Sequence, residues 1–305
     1  MNLSRRKFIG TAAAGMGAVL LNQHFVDAVP FADEHHDPYE IVELGKTGIK
    51  TTRLCMGTGI RGGNRQSNLT RLGHEQAVKL VREIYERGVR AFDLAEDYGT
   101  HACVGEALKI YPRSNYVIIT KMAPRRRRPN DEGGEIPGTE TESRVIAFLK
   151  DLQTDYIDCL QFHGWNFNGN WNADFSVYMS EMDKLKQKGI IRAHGLSSHS
   201  VDCIQTAINE SWVDAMHVRI NPYGVSMDDA TEKVEPLVRE LHKAGKAVIS
   251  MKVYGEGAFA DSDEKKDASL RYVLQSGIVD IVNIGMDKIS DITDTEGRIR
   301  KVKKI

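Results

Sequence analysis

Three successive apolar segments of the chain end in ionisable side chains of different chemical type. The first delivers the carboxylate of Asp93 and, five residues later, the phenol of Tyr98. The next two end in the amine of Lys121 and the imidazole of His163. If these segments are neighbouring strands of a parallel barrel, their carboxyl ends open onto one mouth, where such proteins build active sites. The four residues therefore predict a proton-transfer site.

The elements that would position these residues alternate between short apolar strands and amphipathic helices. In segment 74–87, apolar residues recur at spacings of three and four, and Gly88 follows as a helix stop. Strands are predicted at 54–57, 90–95, 116–121, 156–162, 191–197, 213–220, 247–253 and 280–285. Helices are predicted at 74–87, 102–110, 140–151, 174–188, 200–209, 230–244 and 267–276, with a last helix starting near Ser290.

Eight strands, each followed by a helix, predict an α/β protein whose residues 39–305 form a single-domain (β/α)₈ TIM barrel. The strands are apolar on both faces, as a parallel sheet covered by helices requires. A doubly wound open sheet is the alternative, but no Gly-x-Gly-x-x-Gly pattern follows the first strand. Ahead of the barrel, residues 39–52, with Gly45 and Gly48, predict a β-hairpin at the barrel bottom.

The composition is that of an ordinary folded protein and argues against a general nucleic-acid binder. The 305 residues carry 41 basic and 42 acidic side chains, a net charge of -1, whereas a nucleic-acid binder shows a basic excess. The four cysteines are far apart in sequence and lie mostly in apolar segments, so they are predicted to be buried free thiols. The adjacent His35 and His36 are typical of a chain tail, and no metal site is predicted.

The N-terminus has the features of an export signal. The paired arginines Arg5–Arg6 precede an apolar, small-residue segment at 11–21, which is too short for a stable membrane span. Residues 1–32 are therefore predicted to be a twin-arginine signal and linker, with the twin-arginine export machinery as partner and the periplasm as destination. Cleavage is predicted after Ala28 or Ala32, leaving no stable membrane span. An uncleaved anchor and a generic basic start are the alternatives.

Ordered motifs along the chain resemble the signature of the aldo-keto reductase family. They are Phe-Asp-Leu-Ala-Glu-Asp-Tyr-Gly at 92–99 followed by Val-Gly-Glu-Ala-Leu at 104–108, Thr-Lys at 120–121, Asp-Tyr-Ile-Asp through His at 155–163, and Gly-Leu-Ser-Ser at 195–198. The resemblance implies a (β/α)₈ barrel that transfers a hydride between a nicotinamide cofactor and a small-molecule carbonyl or alcohol substrate.

The roles that the resemblance implies for the four ionisable residues also follow from their chemistry. A carbonyl that gains a hydride needs a proton at oxygen, and a phenol with its usual pKa near 10 is a poor acid at neutral pH. A nearby ammonium lowers the pKa of a phenol, and a carboxylate keeps that ammonium charged. Tyr98 is therefore predicted to be the general acid, Lys121 to lower its pKa, and Asp93 to be the counter-ion of Lys121. His163 is predicted to bind the substrate oxygen.

The resemblance also implies contacts to the cofactor, with several departures from the family pattern. Ser197 matches a serine that holds the nicotinamide amide, Ser198 replaces an asparagine, and His217 replaces a glutamine. Met251 stands where a tyrosine stacks on the nicotinamide, and a thioether can pack on an aromatic face. The other predicted cofactor contacts are Gly57, Lys252, Gly285 and Lys288.

The choice between NADP and NAD stays open. In Asn-Ile-Gly-Met-Asp-Lys at 283–288, Asp287 stands near the place of the basic residue that binds the 2′-phosphate of NADP in the family. A carboxylate there would repel the phosphate, while the next residue, Lys288, could compensate.

Two loops have more than one interpretation. Trp165 follows His163 closely and is predicted to line the substrate pocket, where an aromatic residue suits a sugar or another ring. The four arginines Arg125–Arg128 either attract an anion at the mouth or belong to a solvated loop. An exported ligand-binding barrel without turnover is the alternative function. A hydrolase using paired carboxylates is less favoured, because no second carboxylate ends the fourth strand.

Overall fold

Eight parallel strands close into a barrel in the computed structural model, which describes residues 34–124, 138–163 and 171–305. The strands in these ranges are β1 (Ile41–Glu43), β2 (Lys50–Thr52), β3 (Leu54–Gly57), β4 (Ala91–Asp93), β5 (Val117–Met122), β6 (Ile157–His163), β7 (Ile191–Ser197), β8 (Ala215–Arg219), β9 (Ala247–Met251) and β10 (Ile281–Gly285). From β3 onward each strand pairs with the next, and β10 pairs with β3. The predicted TIM barrel is confirmed.

A helix follows each barrel strand, as predicted. The helices are α1 (Asn68–Arg71), α2 (His74–Arg87), α3 (His101–Leu108), α4 (Thr141–Leu152), α5 (Trp171–Gln187), α6 (Val201–Asn209), α7 (Thr231–Lys243), α8 (Asp263–Gln275) and α9 (Ile289–Ile299). Helix α8 begins earlier than residue 267 because the Ser262 side chain accepts a hydrogen bond from the Lys265 amide and caps it there. The short helix α1 was not predicted.

The hairpin of β1 and β2 closes the bottom of the barrel. The two strands are antiparallel, and the turn between them carries Leu44 and Ile49, both almost fully buried. These side chains pack in one cluster with inward residues near the beginnings of the barrel strands, among them Ala91, Val117 and Ala247. Burial of this apolar turn stabilises the barrel from below, and the predicted position of the hairpin is confirmed.

The interior of the barrel changes character from bottom to mouth. Side chains alternate between the two faces of a strand, so residues two apart both point inward. On β5, Ile119 belongs to the apolar interior cluster and Lys121 lies above it; on β4, Ala91 and Asp93 stand in the same relation. Polar groups are therefore stacked on an apolar plug, which keeps water away from their lower side.

The predicted export signal at 1–32 lies outside the described residues. Within those residues, no helix has the length and apolarity needed to cross a membrane. The prediction of buried free thiols is confirmed at Cys55, Cys103, Cys159 and Cys203.

Candidate active site

Asp93 and Lys121 form a buried ion pair at the ends of β4 and β5. The Lys121 Nζ contacts Asp93 Oδ1 and donates a second hydrogen bond to the Leu94 carbonyl at 3.0 Å. The two side chains are 5% and 1% exposed, so each charge depends on the other for its solvation. Burial alone would raise the pKa of Asp93, but the charge of Lys121 and then the neighbouring His217 outweigh it and hold this pKa well below its usual range.

Tyr98 is held in the mouth by the turn that follows β4. Residues Glu96–Tyr98 form a 3₁₀ turn, which ends at Gly99 in a left-handed conformation with φ 66°. The tyrosine ring packs against Gly59 and Gly62, where an added Cβ at either position would overlap the ring. The Lys121 Nζ lies 5.5 Å from the ring centroid. These contacts fix the ring between β3 and β5.

His163 completes the set from the end of β6. Its Nε2 lies 3.4 Å from the Tyr98 hydroxyl, and the two rings meet edge to face with centroids 5.4 Å apart. Burial, and after it the charge of Lys121, lowers the pKa of His163 to about 3. The imidazole is therefore uncharged at neutral pH, and either nitrogen can serve as hydrogen-bond donor or acceptor according to its tautomer. The structure brings together the four residues that the sequence selected.

Burial has the largest effect on the pKa of Tyr98, and the predicted lowering of that pKa by Lys121 stays a prediction. Burial raises the pKa of the phenol above its usual range, and the negative charges of Asp93 and Asp97 act in the same direction. The Lys121 ammonium, 5.5 Å from the ring centroid, acts in the opposite direction by favouring the phenolate, although Asp93 at direct contact balances part of its charge. Tyr98 therefore holds its proton at neutral pH.

Two polar residues that the sequence did not single out, Asn283 and Gln161, contact this site. Asn283 Nδ2 donates to Asp93 Oδ2 at 2.8 Å, and Gln161 Oε1 lies 2.6 Å from Nδ1 of His217. Both stand at inward positions of otherwise apolar strands, and that pattern is the signal that could have identified them. Gly57, predicted as a cofactor contact, makes room for this group: a Cβ there would lie 2.8 Å from Asn283 Oδ1.

The other predicted cofactor contacts surround the far side of the same mouth. Ser197 and Ser198 are buried at the end of β7, and Met251 is half-buried at the end of β9. Lys252 adopts a left-handed conformation with φ 57° and forms an ion pair with Glu256. The serine hydroxyls and the thioether fit the amide and the flat ring of a nicotinamide. Gly285, at the end of β10, packs closely under Ile60.

His217 does not fit its predicted place as a cofactor contact. The side chain is fully buried in the barrel, with Nδ1 against Gln161 and Nε2 3.2 Å from Asp93 Oδ1. Both ring nitrogens therefore face groups of the protein, so the imidazole offers neither of them to a nicotinamide amide. Its partners place it beneath the proton-transfer group.

The beginning of α9 is surrounded by acidic groups. Asp287 accepts a hydrogen bond from Asn68 Nδ2 at 2.7 Å, and burial raises the pKa of its carboxyl. Asp291 Oδ2 accepts from the backbone amides of Asp287 and Lys288 at 2.9 and 3.2 Å. The two backbone amides just before this helix are thus already bound by a carboxylate of the chain. Lys288 is exposed beside them.

Trp165 and the Arg125–Arg128 segment lie outside the described residues, so their predicted roles stay predictions. Among the residues that the structure does describe, no cluster of three or more histidine, cysteine or acidic side chains is arranged to hold a metal ion.

Comparison with known proteins agrees with this geometry. A family model for the aldo/keto reductase family matches residues 53–274. L-galactose dehydrogenase from Arabidopsis thaliana is 24% identical over 298 residues, which cover 87% of this chain and 90% of that protein. D-threo-aldose 1-dehydrogenase from a Pseudomonas species is 25% identical over 235 residues, 69% of this chain and 70% of that one.

Solved structures share the fold. The holo form of an aldo-keto reductase from Bacillus halodurans superposes with a TM-score of 0.67 at 20% identity, covering 88% of this chain and 93% of the other. An aldo-keto reductase from Klebsiella pneumoniae in complex with NADPH gives 0.63 at 18% identity, with coverages of 87% and 90%. The family match spans most of the barrel, and the chain therefore belongs to the aldo-keto reductase family of NAD(P)-dependent oxidoreductases.

Proposed function

We propose that this protein is an exported aldo-keto reductase that interconverts the carbonyl and alcohol forms of an aldose or a similar cyclic polyol. The observation that carries the proposal is the meeting of Asp93, Lys121, Tyr98 and His163 at one end of the barrel. Two relatives with the names of sugar dehydrogenases support the substrate class. An aromatic pocket residue at Trp165 would suit a sugar ring.

Ser197, Ser198 and Met251 would hold the nicotinamide, which would supply or accept the hydride at the substrate carbon. Tyr98 is protonated and lies within hydrogen-bond distance of the uncharged His163, so a substrate oxygen lying against both receives two hydrogen bonds. As negative charge develops on that oxygen, Tyr98 transfers its proton. Lys121 stabilises the phenolate that remains, since its ammonium faces the tyrosine ring. In the reverse direction the phenolate takes the proton from the alcohol.

The other two functions are not favoured by the site. A barrel without turnover has no need for a buried ion pair beside a protonated phenol, because burial of charges is costly to stability. A hydrolase with paired carboxylates needs two acids free to exchange protons. Asp93 does not meet that need, since Lys121 and Asn283 bind both of its oxygens.

Steady-state assays of the purified protein with NAD and NADP against a panel of aldoses and polyols test the proposed reaction. We expect turnover of at least one aldose, and Tyr98→Phe should lower kcat by about 10²- to 10⁴-fold, as expected for loss of a general acid. The matched control is Tyr111→Phe, since this hydroxyl binds Glu86 on the outer surface. Absence of turnover with the whole panel, or a fully active Tyr98→Phe variant, would reject the proposal.

Export is tested separately from catalysis. The paired Arg5–Arg6 and the apolar segment after them support the twin-arginine route. In a bacterial host, the full chain should accumulate in the periplasmic fraction, whereas the Arg5→Lys, Arg6→Lys double variant should remain in the cytoplasm. Equal distribution of the two forms would contradict the proposed route.

A further inference from the structure

His217 is a buried ionisable side chain for which the proposed reaction has no use. It points into the barrel from β8 and is completely buried. One ring nitrogen, Nδ1, lies 2.6 Å from Gln161 Oε1, and the other, Nε2, lies 3.2 Å from Asp93 Oδ1. The imidazole thus bridges a neutral amide on β6 and the carboxylate that binds Lys121.

The surroundings of Asp93 show what this bridge contributes. One carboxylate oxygen contacts Lys121 and faces His217, while the other accepts a hydrogen bond from Asn283. The carboxylate is therefore approached from β5, β8 and β10. A side chain held from three directions has a fixed orientation, and so has the ammonium that it binds.

The neighbours of the two ring nitrogens of His217 favour one tautomer. Burial lowers the pKa of the ring although Asp93 acts against this, so the imidazole is neutral and carries one proton. A proton on Nδ1 would leave the lone pair of Nε2 facing the Asp93 carboxylate, which is repulsive. A proton on Nε2 can instead be donated to Asp93. As the side chains stand, Nε2 of His217 and Nε2 of Gln161 both lack a well-aligned hydrogen bond among the described residues. Rotation of the Gln161 amide lets its Nε2 donate to Nδ1, and a small turn of the imidazole directs its Nε2 proton at Asp93 Oδ1, 3.2 Å away.

We propose that His217, oriented by Gln161, is a positioning residue that donates a hydrogen bond from Nε2 to Asp93, rather than a contact for the nicotinamide amide. Through Asp93 it fixes the place of Lys121 beside Tyr98. This inference rests on the proposed function only for its effect on catalysis. The tautomer and the cofactor affinity do not depend on turnover.

The tautomer is measured directly in the full-length protein. Nitrogen-15 labelling of the histidines, with assignment of His217 from the spectrum of His217→Gln, reports which ring nitrogen carries the proton. We expect the Nε2-protonated form at neutral pH. A proton on Nδ1 alone would overturn the inference, whether or not the protein turns over any substrate.

Cofactor binding and kinetics distinguish a positioning role from a cofactor contact and from a purely structural role. For His217→Leu we expect the Kd for NAD and NADP to change by less than about twofold and kcat to fall about tenfold, the size of one hydrogen bond to a charged group. The acidic limb of the kcat profile should move to higher pH, because Asp93 loses a donor that favours its charged form. Asp93 and Lys121 are the charged groups that act on the His217 ring, and this variant changes neither of them.

Two further variants keep the test decisive. His217→Gln, which retains an amide donor, should restore most of kcat, and Gln161→Leu should reproduce the loss in a weaker form if His217→Leu does not fold. His242→Gln serves as the control, since His242 lies away from the mouth beside Asp280.

A tenfold weaker cofactor Kd with unchanged kcat would identify a cofactor contact. Unchanged kcat and pH profile in folded variants would leave only a structural role, and either result rejects the proposal. An inactive wild type with an Nε2-protonated His217 would reject the proposed function alone.

Discussion

The ends of β4 to β6 and the ends of β7 to β10 form two halves of one mouth, and they differ in how closely their polar groups are held. In the first half, Asp93, Lys121, Tyr98 and His163 are bound to one another by direct contacts. In the second half, Met251 is half-buried, and Lys252 is paired with Glu256 rather than with another residue expected to hold the cofactor.

The difference reflects two kinds of task. A group that transfers a proton must be placed with a fixed pKa before the substrate arrives, so its surroundings are built into the chain. A group that binds a cofactor acquires its partners from the cofactor, so only the strand end needs to be placed. His217 joins the first half although its position in the sequence assigned it to the second.

The largest expected effect follows from removing the charge of Lys121, in the first half of the mouth. Lys121→Met should destabilise the protein by about 3–5 kcal/mol, because it leaves the buried Asp93 carboxylate without a counter-ion. It should also lower kcat by at least about 10²-fold. Denaturant unfolding measures the first effect and steady-state kinetics the second.

The double variant Asp93→Leu, Lys121→Met separates the two effects. Removal of both charges should restore much of the lost stability while kcat stays low, since buried ion pairs are often replaceable by apolar residues. If the single variant is as stable as the wild type, the pair is not as buried as the structure has it. If the double variant regains activity, these residues do not act on Tyr98.

A smaller loss of activity should follow from a change that moves only the phenol. A methyl group at Gly59 would overlap the ring of Tyr98, so Gly59→Ala should displace the hydroxyl from His163 and lower kcat by about 10²-fold. The matched control is Gly297→Ala, in α9, where an added Cβ meets no other group and alanine favours the helix. Full activity in Gly59→Ala would show that the exact position of the ring does not limit the reaction.

Strand ends were predictable from sequence because alternation and barrel symmetry determine where an inward residue lies. Asp93, Lys121 and His163 were found on that basis. Asn283 was missed because a single polar residue in an apolar strand gives no indication of its partner, which lies 190 positions away. The rise of the Tyr98 pKa was missed because it depends on how deeply the ring is buried and how close Asp93 and Asp97 lie to it. That is a question of ångström-scale geometry rather than of residue type.

The pH dependence of stability tests whether His163, in the first half of the mouth, is shielded from water. The pKa of His163 is about 3 in the folded protein and near 6.5 when unfolded. Between these values the unfolded state binds one more proton, so stability decreases as the pH falls from 6.5 towards 3. His163→Gln should reduce this slope by about 1.4 kcal/mol per pH unit. Urea unfolding at several pH values measures it, and an unchanged slope would place the ring in contact with water.

The smallest expected effect concerns the second half of the mouth, where the cofactor is expected to bind. Asp287 stands where the family resemblance places the 2′-phosphate of NADP, and together with Asp291 it makes the start of α9 acidic. Asp287→Ala should therefore tighten NADP binding about two- to fivefold relative to NAD, as expected for removal of one partly solvated charge. Calorimetric titration of both dinucleotides measures the ratio, with Glu43→Gln, on β1 at the opposite end of the barrel, as control.

If the affinity for NADP relative to NAD rises more than fivefold, the second half of the mouth already has groups that bind the 2′-phosphate, and Asp287 alone excludes it. No change would mean that the phosphate binds elsewhere on the mouth. In that case Asp287, although charged, would not affect the cofactor. The contrast with Asp93 and Lys121, whose charges are fixed by direct contact, would then become sharper.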